Sequence, residues 1–417
     1  MKPNKKNNKI AFFGVFGTQN LGNECTLQAA MYNIRKASPD ATFTCLCTVP
    51  EDTELRHNIP AFAAHRTYPT WLGSQLRSGR RSTLMRLLGK LLFEIPLELI
   101  HWVKSFKMMK GSRMLIIPGT QVVSDYLNGP FSWPYDIFKW AIIAKLRRAK
   151  VLFLNIGVGP IYHPLSRWFI KASLKLSDYR SYRDLASKKY VEKMAHCQTC
   201  DVVYPDLAFS LQRALLPACQ SVGKQRPVFG IGLKDYLGQE GLRDRNNNST
   251  YRDYLNTLGD LVAWLCARKY MVRLIIGDVS YDSGVKQDFM ELLYERGLMN
   301  SEDQIVNEPA FTVKQLLSQI AAIDFLVTSR FHNLVLAFML NKPVVCLSDH
   351  RKLDSLMTDI GLTEYCLPLA NLDFDDLIER LVKLEKNAAA LRPYIKQKTE
   401  EYRRTLDEQY SLIFESV

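Results

Sequence analysis

An arginine and a histidine stand two residues apart in Thr328-Ser329-Arg330-Phe331-His332, where a β-rich run, Phe325 to Thr328, gives way to a helical pattern, Phe331 to Asn341. Ser329 suits the N-cap, which sets Arg330 and His332 in the first turn, where the helix dipole disfavours cations. Two cationic side chains belong there if an anion is bound, because the unpaired N–H groups of the turn point at the same place. The bland alternative pairs Arg330 with a carboxylate of the other domain and leaves His332 a satisfied polar residue. Comparable residues close other strands. Tyr182-Arg183-Asp184 offers Asp184 as a cap and Arg183 to a cleft. In Pro205-Asp206-Leu207-Ala208-Phe209, Asp206 is either a base or a partner for Arg183. The loop from Pro118-Gly119-Thr120 ends on a carboxylate, Asp125, and His350 and Lys352 add positive charge after Pro343 to Leu347.

The loop Gly17 to Glu24 follows the first strand. Its two glycines let backbone approach a ligand, yet it is neither a dinucleotide fingerprint nor a Walker loop. Asn20 or Asn23 caps the next helix, with Glu24 favourable in its first turn.

These residues need strands that end together. Short β-rich runs alternate with helical patterns from Ile10 onward: Thr42 to Val49, Met114 to Ile117, Val151 to Ile156, Tyr179 to Tyr182 and Asp201 to Tyr204. The pattern restarts at Val228 and continues through Val272 to Ile276, Gln304 to Val306, Phe325 to Thr328 and Pro343 to Leu347, with helix thereafter. Such alternation predicts mainly parallel sheets with crossover helices. The expected organisation is α/β, with two Rossmann-like domains in a GT-B-like arrangement: residues 1–215, a Pro- and Gly-bearing linker at 216–227, and residues 228–417. Ligands of open α/β sheets collect at the carboxyl ends of strands, so the cleft between domains is the expected site.

The chain has 417 residues, 47% of them hydrophobic and 23% charged, and a net charge of +13. That composition is globular, and no apolar run reaches the ~18 residues of a membrane span. The basic N-terminus lacks the length and cleavage site of a signal peptide, so a cytoplasmic location is expected. Nine scattered cysteines fit a reduced compartment. Cys45 and Cys47 share a strand face; His196, Cys197 and Cys200 have metal spacing but no second ligand pair, so no metal is expected. Ten basic residues between Arg66 and Arg113 face only Glu94 and Glu98. Leu88, Leu91, Leu92, Trp102 and Phe106 are interleaved among them near helical spacing. Two readings stand side by side: an amphipathic segment resting on an anionic membrane, and a helix packed on the core with solvated charges. No nucleic-acid-binding signature accompanies the charge.

Taken in order, Asn20-Leu21-Gly22-Asn23-Glu24, Ser181 to Ser187, Tyr204 to Phe209, Ser329-Arg330-Phe331-His332, Asn341-Lys342-Pro343 and Lys352 resemble the motifs of the polysaccharide pyruvyl transferases. Asn23 stands where members commonly have aspartate, and Pro118-Gly119-Thr120 where they commonly have a glycine run. The resemblance implies transfer from phosphoenolpyruvate, a donor substrate needing no further cofactor, to hydroxyls of a glycan, either free or lipid-linked. It places Arg183, Arg330 and His332 at catalytic positions. Asn20, Gly22, Asn23, Glu24, Asp125, Asp206, Ser329, Phe331 and Lys352 are then substrate-binding. The chemistry agrees: a carboxylate and a phosphate call for at least two cationic side chains. Protonation of the donor's methylene carbon needs an acid, for which histidine, with an ordinary pKa near ~6.5, is suited. Asp206, Asp125 and Glu24 are the candidate bases. A nucleotide-sugar glycosyltransferase of the same fold, or a non-catalytic member of a polysaccharide assembly complex, are the competing readings.

Overall fold

The structure is a computed structural model that describes residues 8–66, 94–120, 122–125, 129–195, 201–217, 226–235, 249–300 and 304–414. The chain divides by packing into two units. The first is Met1–Thr18, Ser38–Arg183 and Ser187–Val203; the second is Gln19–Ala37, Asp184–Ala186 and Tyr204–Val417.

The first unit is built on a seven-stranded sheet: β1 (Lys9–Phe13), β2 (Thr42–Cys47), β3 (Ala61–Ala63), β4 (Ser112–Pro118), β5 (Lys150–Ile156), β6 (Tyr179–Tyr182) and β7 (Val202–Val203). Every pairing is parallel and the order is β3-β2-β1-β4-β5-β6-β7. The helices that return the chain are α2 (Pro50–His57), α3 (Ile95–Met108), α4 (Trp133–Leu146), α5 (Pro164–Leu176) and α6 (Leu185–Ala195). Because both faces of a parallel sheet are covered, its central strands are buried almost throughout, as the apolar runs Met-Leu-Ile-Ile of β4 and Val-Leu-Phe-Leu of β5 require. Trp140 is fully buried on α4 and donates its indole N–H to Ala64 O at 2.9 Å.

The second unit holds a six-stranded sheet: β8 (Val228–Leu233), β9 (Met271–Ile276), β10 (Ile305–Val306), β11 (Phe325–Thr328), β12 (Val344–Ser348) and β13 (Cys366–Pro368). Its order is β10-β9-β8-β11-β12-β13, again all parallel. Its helices are α1 (Leu21–Ala37), α7 (Ser249–Ala267), α8 (Val279–Glu295), α9 (Val313–Ala321), α10 (Phe331–Met339), α11 (Arg351–Asp359) and α12 (Phe374–Phe414). Strand order reverses between β8 and β11, so the carboxyl ends of those strands flank a switch point.

The expected division at 215 and 228 follows chain order, and packing does not. Helix α1 comes second in the chain yet belongs to the second unit. Leu21 N–H bonds Gly277 O at 3.0 Å, and Val279 N–H bonds Gln19 O at 3.1 Å. Further along α1, buried Asn33 donates to Ser210 O and Ser210 Oγ, both at 2.9 Å. Of the expected linker, residues 218–225 lie outside the described residues.

Asn33 therefore ties α1 to the turn at Ser210 through buried hydrogen bonds. Asn33→Ala should lower stability by about 1–3 kcal/mol, the cost of leaving a buried carbonyl unmet. Chemical denaturation monitored by far-UV circular dichroism measures it; an unshifted midpoint would mean the contact contributes nothing.

Candidate functional site

The carboxyl ends of β8, β9, β11 and β12 carry a cluster of charged residues. Helix α10 begins one residue later than the motif predicts: its N-cap is Arg330, not Ser329. The cause is Thr328, whose Oγ1 accepts the Arg330 N–H at 3.1 Å and holds the turn extended. Ser329 is buried one step earlier.

The Arg330 guanidinium forms an ion pair with Asp282, in the first turn of α8. The pairing is within one unit, not with a carboxylate of the other domain. Asp282 is fully buried and also accepts N–H bonds from Asp235 at 2.9 Å, Gly277 at 3.3 Å and Asp278 at 3.0 Å. Burial opposes the charge on Arg330, but the attraction of Asp282 outweighs it and the pKa is raised. Nε of Arg330 is buried and hydrogen-bonds nothing among the described residues, so the guanidinium has a donor left for a second acceptor.

Three further charged residues complete the group. Lys234, directly after β8, pairs with Asp349, directly after β12. Burial pulls the Lys234 pKa below its ordinary value despite that partner. Sequence reasoning missed Lys234: it is the first residue past β8, but no helix begins directly after it among the described residues to mark a cation there as out of place. Asp278 follows β9, and burial raises its carboxyl more than Arg330 lowers it.

His332 lies against the start of α1. A Cβ on Gly22 would fall 2.0 Å from His332 Nδ1, so only glycine lets the imidazole pack there. The other ring nitrogen, Nε2, is 3.5 Å from Thr26 Oγ1 and 3.9 Å from Asp206 Oδ1. Asp206 is buried and caps the 3₁₀ turn Leu207–Ser210 by accepting from Ala208 N–H at 3.0 Å. Of the two caps considered for α1, the residue is Asn20: its Oδ1 accepts the Asn23 N–H at 3.2 Å while its Nδ2 donates to Asp278 at 2.7 Å. Glu24 is buried in the same first turn. The Phe331 ring meets His332 edge-on, with centroids 5.2 Å apart, and has the Lys352 ammonium 5.8 Å away.

Arg183 and Asp125 belong to the first unit. The Arg183 side chain lies over Gly157, where a Cβ would come within 2.5 Å of it, and donates to Gly119 O at 3.3 Å. Asp125 accepts N–H bonds from Tyr162 and His163, both at 2.8 Å. Burial would raise its pKa, but these bonds prevail and lower it. With both oxygens engaged and basicity reduced, Asp125 holds a loop and is a poor general base. Asp184, offered as the cap beside Arg183, is buried and packs with the second unit. Residues 196–200, with the Cys197 and Cys200 pair, lie outside the described residues.

A family model described as polysaccharide pyruvyl transferase matches residues 20–351. That span opens at the cap of α1 and closes on the first residue of α11. No match was found among curated proteins. Among solved structures, the chain is similar to UDP-GlcNAc 2-epimerase from Methanocaldococcus jannaschii, with 10% identity over 90% of this chain and 91% of that one, at a TM-score of 0.54. A glycosyltransferase from Rickettsia africae matches at 11% identity, 98% of each chain and a TM-score of 0.56. MurG of Acinetobacter baumannii matches at 10% identity, 97% and 99% coverage and a TM-score of 0.51. At these identities the likeness establishes the fold: a two-unit α/β chain of GT-B type.

Two substitutions test the geometry. Asp282→Ala strands Arg330 in a buried site and should cost about 3–5 kcal/mol, read as a lower denaturation midpoint. Gly22→Ala places a methyl inside the His332 ring, so α1 or the imidazole must shift. A loss of about 1–3 kcal/mol is expected, as for other overpacked contacts. Wild-type stability in Gly22→Ala would mean that His332 does not sit on Gly22.

Proposed function

The chain belongs to the polysaccharide pyruvyl transferase family, and from that premise we propose that it converts phosphoenolpyruvate and a glycan into a pyruvate ketal and inorganic phosphate. The observation that carries the reading is His332, held between Gly22 and Asp206 beside a guanidinium with a donor to spare.

In the proposed reaction the N-terminus of α10, Arg330 and Lys234 receive the donor's anionic groups. Arg183 takes part in the same reaction by its motif position. His332, charged with Asp206 behind it, gives its proton to the methylene carbon, and positive charge develops at the neighbouring carbon. A sugar hydroxyl bonds to that carbon, the bond to the phosphate oxygen breaks, and a second hydroxyl closes the ketal. After donating, the imidazole is neutral and can take the proton of the attacking hydroxyl, so one residue serves both transfers. Asp206 then orients the imidazole, and Glu24 is the remaining carboxylate suited to the second hydroxyl. The scheme calls on no metal. Because phosphoenolpyruvate is a cytoplasmic metabolite, the reaction belongs on the cytoplasmic side, with free or lipid-linked glycan as acceptor.

The decisive assay supplies phosphoenolpyruvate and candidate glycans and follows phosphate release, with the ketal detected by NMR. Phosphate should appear only when an acceptor is present. His332→Asn should cut turnover by about 10²–10⁴-fold while KM changes little. Arg330→Lys keeps the pair with Asp282 but loses the extra donor, so affinity for phosphoenolpyruvate should fall about tenfold or more. Near-normal turnover in His332→Asn would place the acid elsewhere. Turnover of a UDP-sugar instead of phosphoenolpyruvate would replace this reading with glycosyl transfer.

A further inference from the structure

Helix α3, far in kind from the chemistry above, is amphipathic the wrong way round. A surface helix ordinarily turns its apolar stripe to the core and its charges to water. On α3, Ile95, Leu99, Ile100, Val103 and Phe106 are 50%, 62%, 51%, 57% and 38% exposed. The other exposed positions on the helix are Pro96, Lys104 and Lys107, and none is acidic.

The inward face explains the inversion. Glu98 accepts hydrogen bonds from Tyr135 Oη at 2.8 Å and from fully buried Lys139 at 3.2 Å, and Lys139 also pairs with Asp136 at 2.7 Å. Arg66 reaches Glu94, at the start of the helix, at 3.7 Å. Trp102, expected to share a face with Phe106, is turned inward and donates to Tyr135 Oη at 2.9 Å. The two acids of the segment are thus consumed by a polar network, Glu98 with Tyr135 and Lys139 of α4 and Glu94 with Arg66. The orientation of α3 is fixed by that network, and the apolar side is left outward. Beside it, the Arg147 guanidinium stacks 3.6 Å from the Phe106 ring centre, and Leu146 is exposed.

We propose that this face of α3 seats the protein on an anionic lipid bilayer, its apolar side chains entering the acyl boundary and its lysines meeting lipid phosphate. Apolar side chains ringed by cations with no anion among them are complementary to such a surface. A second copy offers the same cations, so a twofold contact through this face would oppose lysine to lysine. Among the described residues no helix is long and apolar enough to cross a membrane, so this contact is a peripheral one. The adjoining span 67–93 lies outside the described residues and is basic in sequence, with Arg77, Arg80, Arg81, Arg86 and Lys90. The inference stands whether or not the pyruvyl reaction is confirmed.

Co-sedimentation of the full chain with vesicles of phosphatidylcholine, and of phosphatidylcholine with phosphatidylglycerol, tests it. Binding should be at least about tenfold stronger to the anionic vesicles, since each lysine near the surface contributes about fivefold. It should weaken as salt rises from about 0.1 M to about 1 M. Leu99→Gln/Val103→Gln and Lys104→Gln/Lys107→Gln should each reduce binding about tenfold or more. Thermal stability should stay at the wild-type value, because these side chains are exposed. Absent binding, equal binding to both vesicles, or wild-type binding by both double variants would overturn the proposal; the last result would assign the affinity to the basic span before α3. A lipid-free dimer in light scattering that Leu99→Gln/Val103→Gln dissociates would overturn it too, in favour of a second copy.

Discussion

The buried pair between Arg330 and Asp282 is the constraint on which the second unit's strand ends depend. A guanidinium and a carboxylate withdrawn from water are costly unless every remaining bond is met. Asp282 meets that demand by taking three backbone N–H groups, from Asp235, Gly277 and Asp278, besides Arg330. Those three residues close β8 and β9, so one carboxylate in the first turn of α8 ties together the ends of two strands and the start of α10. Lys234 and Asp349 form a second ion pair that, like the first, joins strand ends on opposite sides of the switch point. Each cation therefore already has an anion. The cluster carries no excess of positive charge; it holds hydrogen-bond donors fixed in direction, the condition under which such bonds stabilise developing charge without reorganisation.

The same unit borrows its histidine platform from the beginning of the chain. Gly22 and Thr26 on α1 shape the surroundings of His332, and Asn20 joins α1 to Asp278. A motif near residue 20 and a motif near residue 330 are thus one piece of structure. The family match opens at the first of these motifs, at residue 20. Chain order ranks α1 with its neighbours β1 and β2, whereas by packing it belongs to the second unit.

Much of the scaffold is legible without coordinates. β5, β6, β9 and β11 fall on the expected residues to within one position, because each β-rich run is bounded by helical or turn-forming sequence. The short edge strands β3 and β13, three residues each, leave no period to read. Arg330 and His332 are visible because both stand at a strand end in a place a helix dipole makes unfavourable. Asp282 is not: it is one acid among several in an ordinary helical turn, and nothing in its spacing points to a partner 48 residues on. The cap of α10 differs from the expected Ser329 for a related reason. Serine is the better cap by preference, but the hydroxyl of Thr328, one residue earlier, takes the N–H that decides where the helix begins.

The departure at Pro118-Gly119-Thr120 can be weighed residue by residue. Pro118 ends β4 and pairs with Leu154 of β5, a place where a proline ring needs no special backbone. Thr120 is buried with its hydroxyl turned back to Pro118 O at 3.3 Å. Gly119 is different. A Cβ there would come within 2.7 Å of Asn155 O, and its own carbonyl accepts from Arg183. Of the three positions, the one where a side chain would disturb the Arg183 contact is the one that remains glycine. The two flanking changes add side chains where the first unit has room for them, and they leave intact the close backbone approach that a run of glycines would serve.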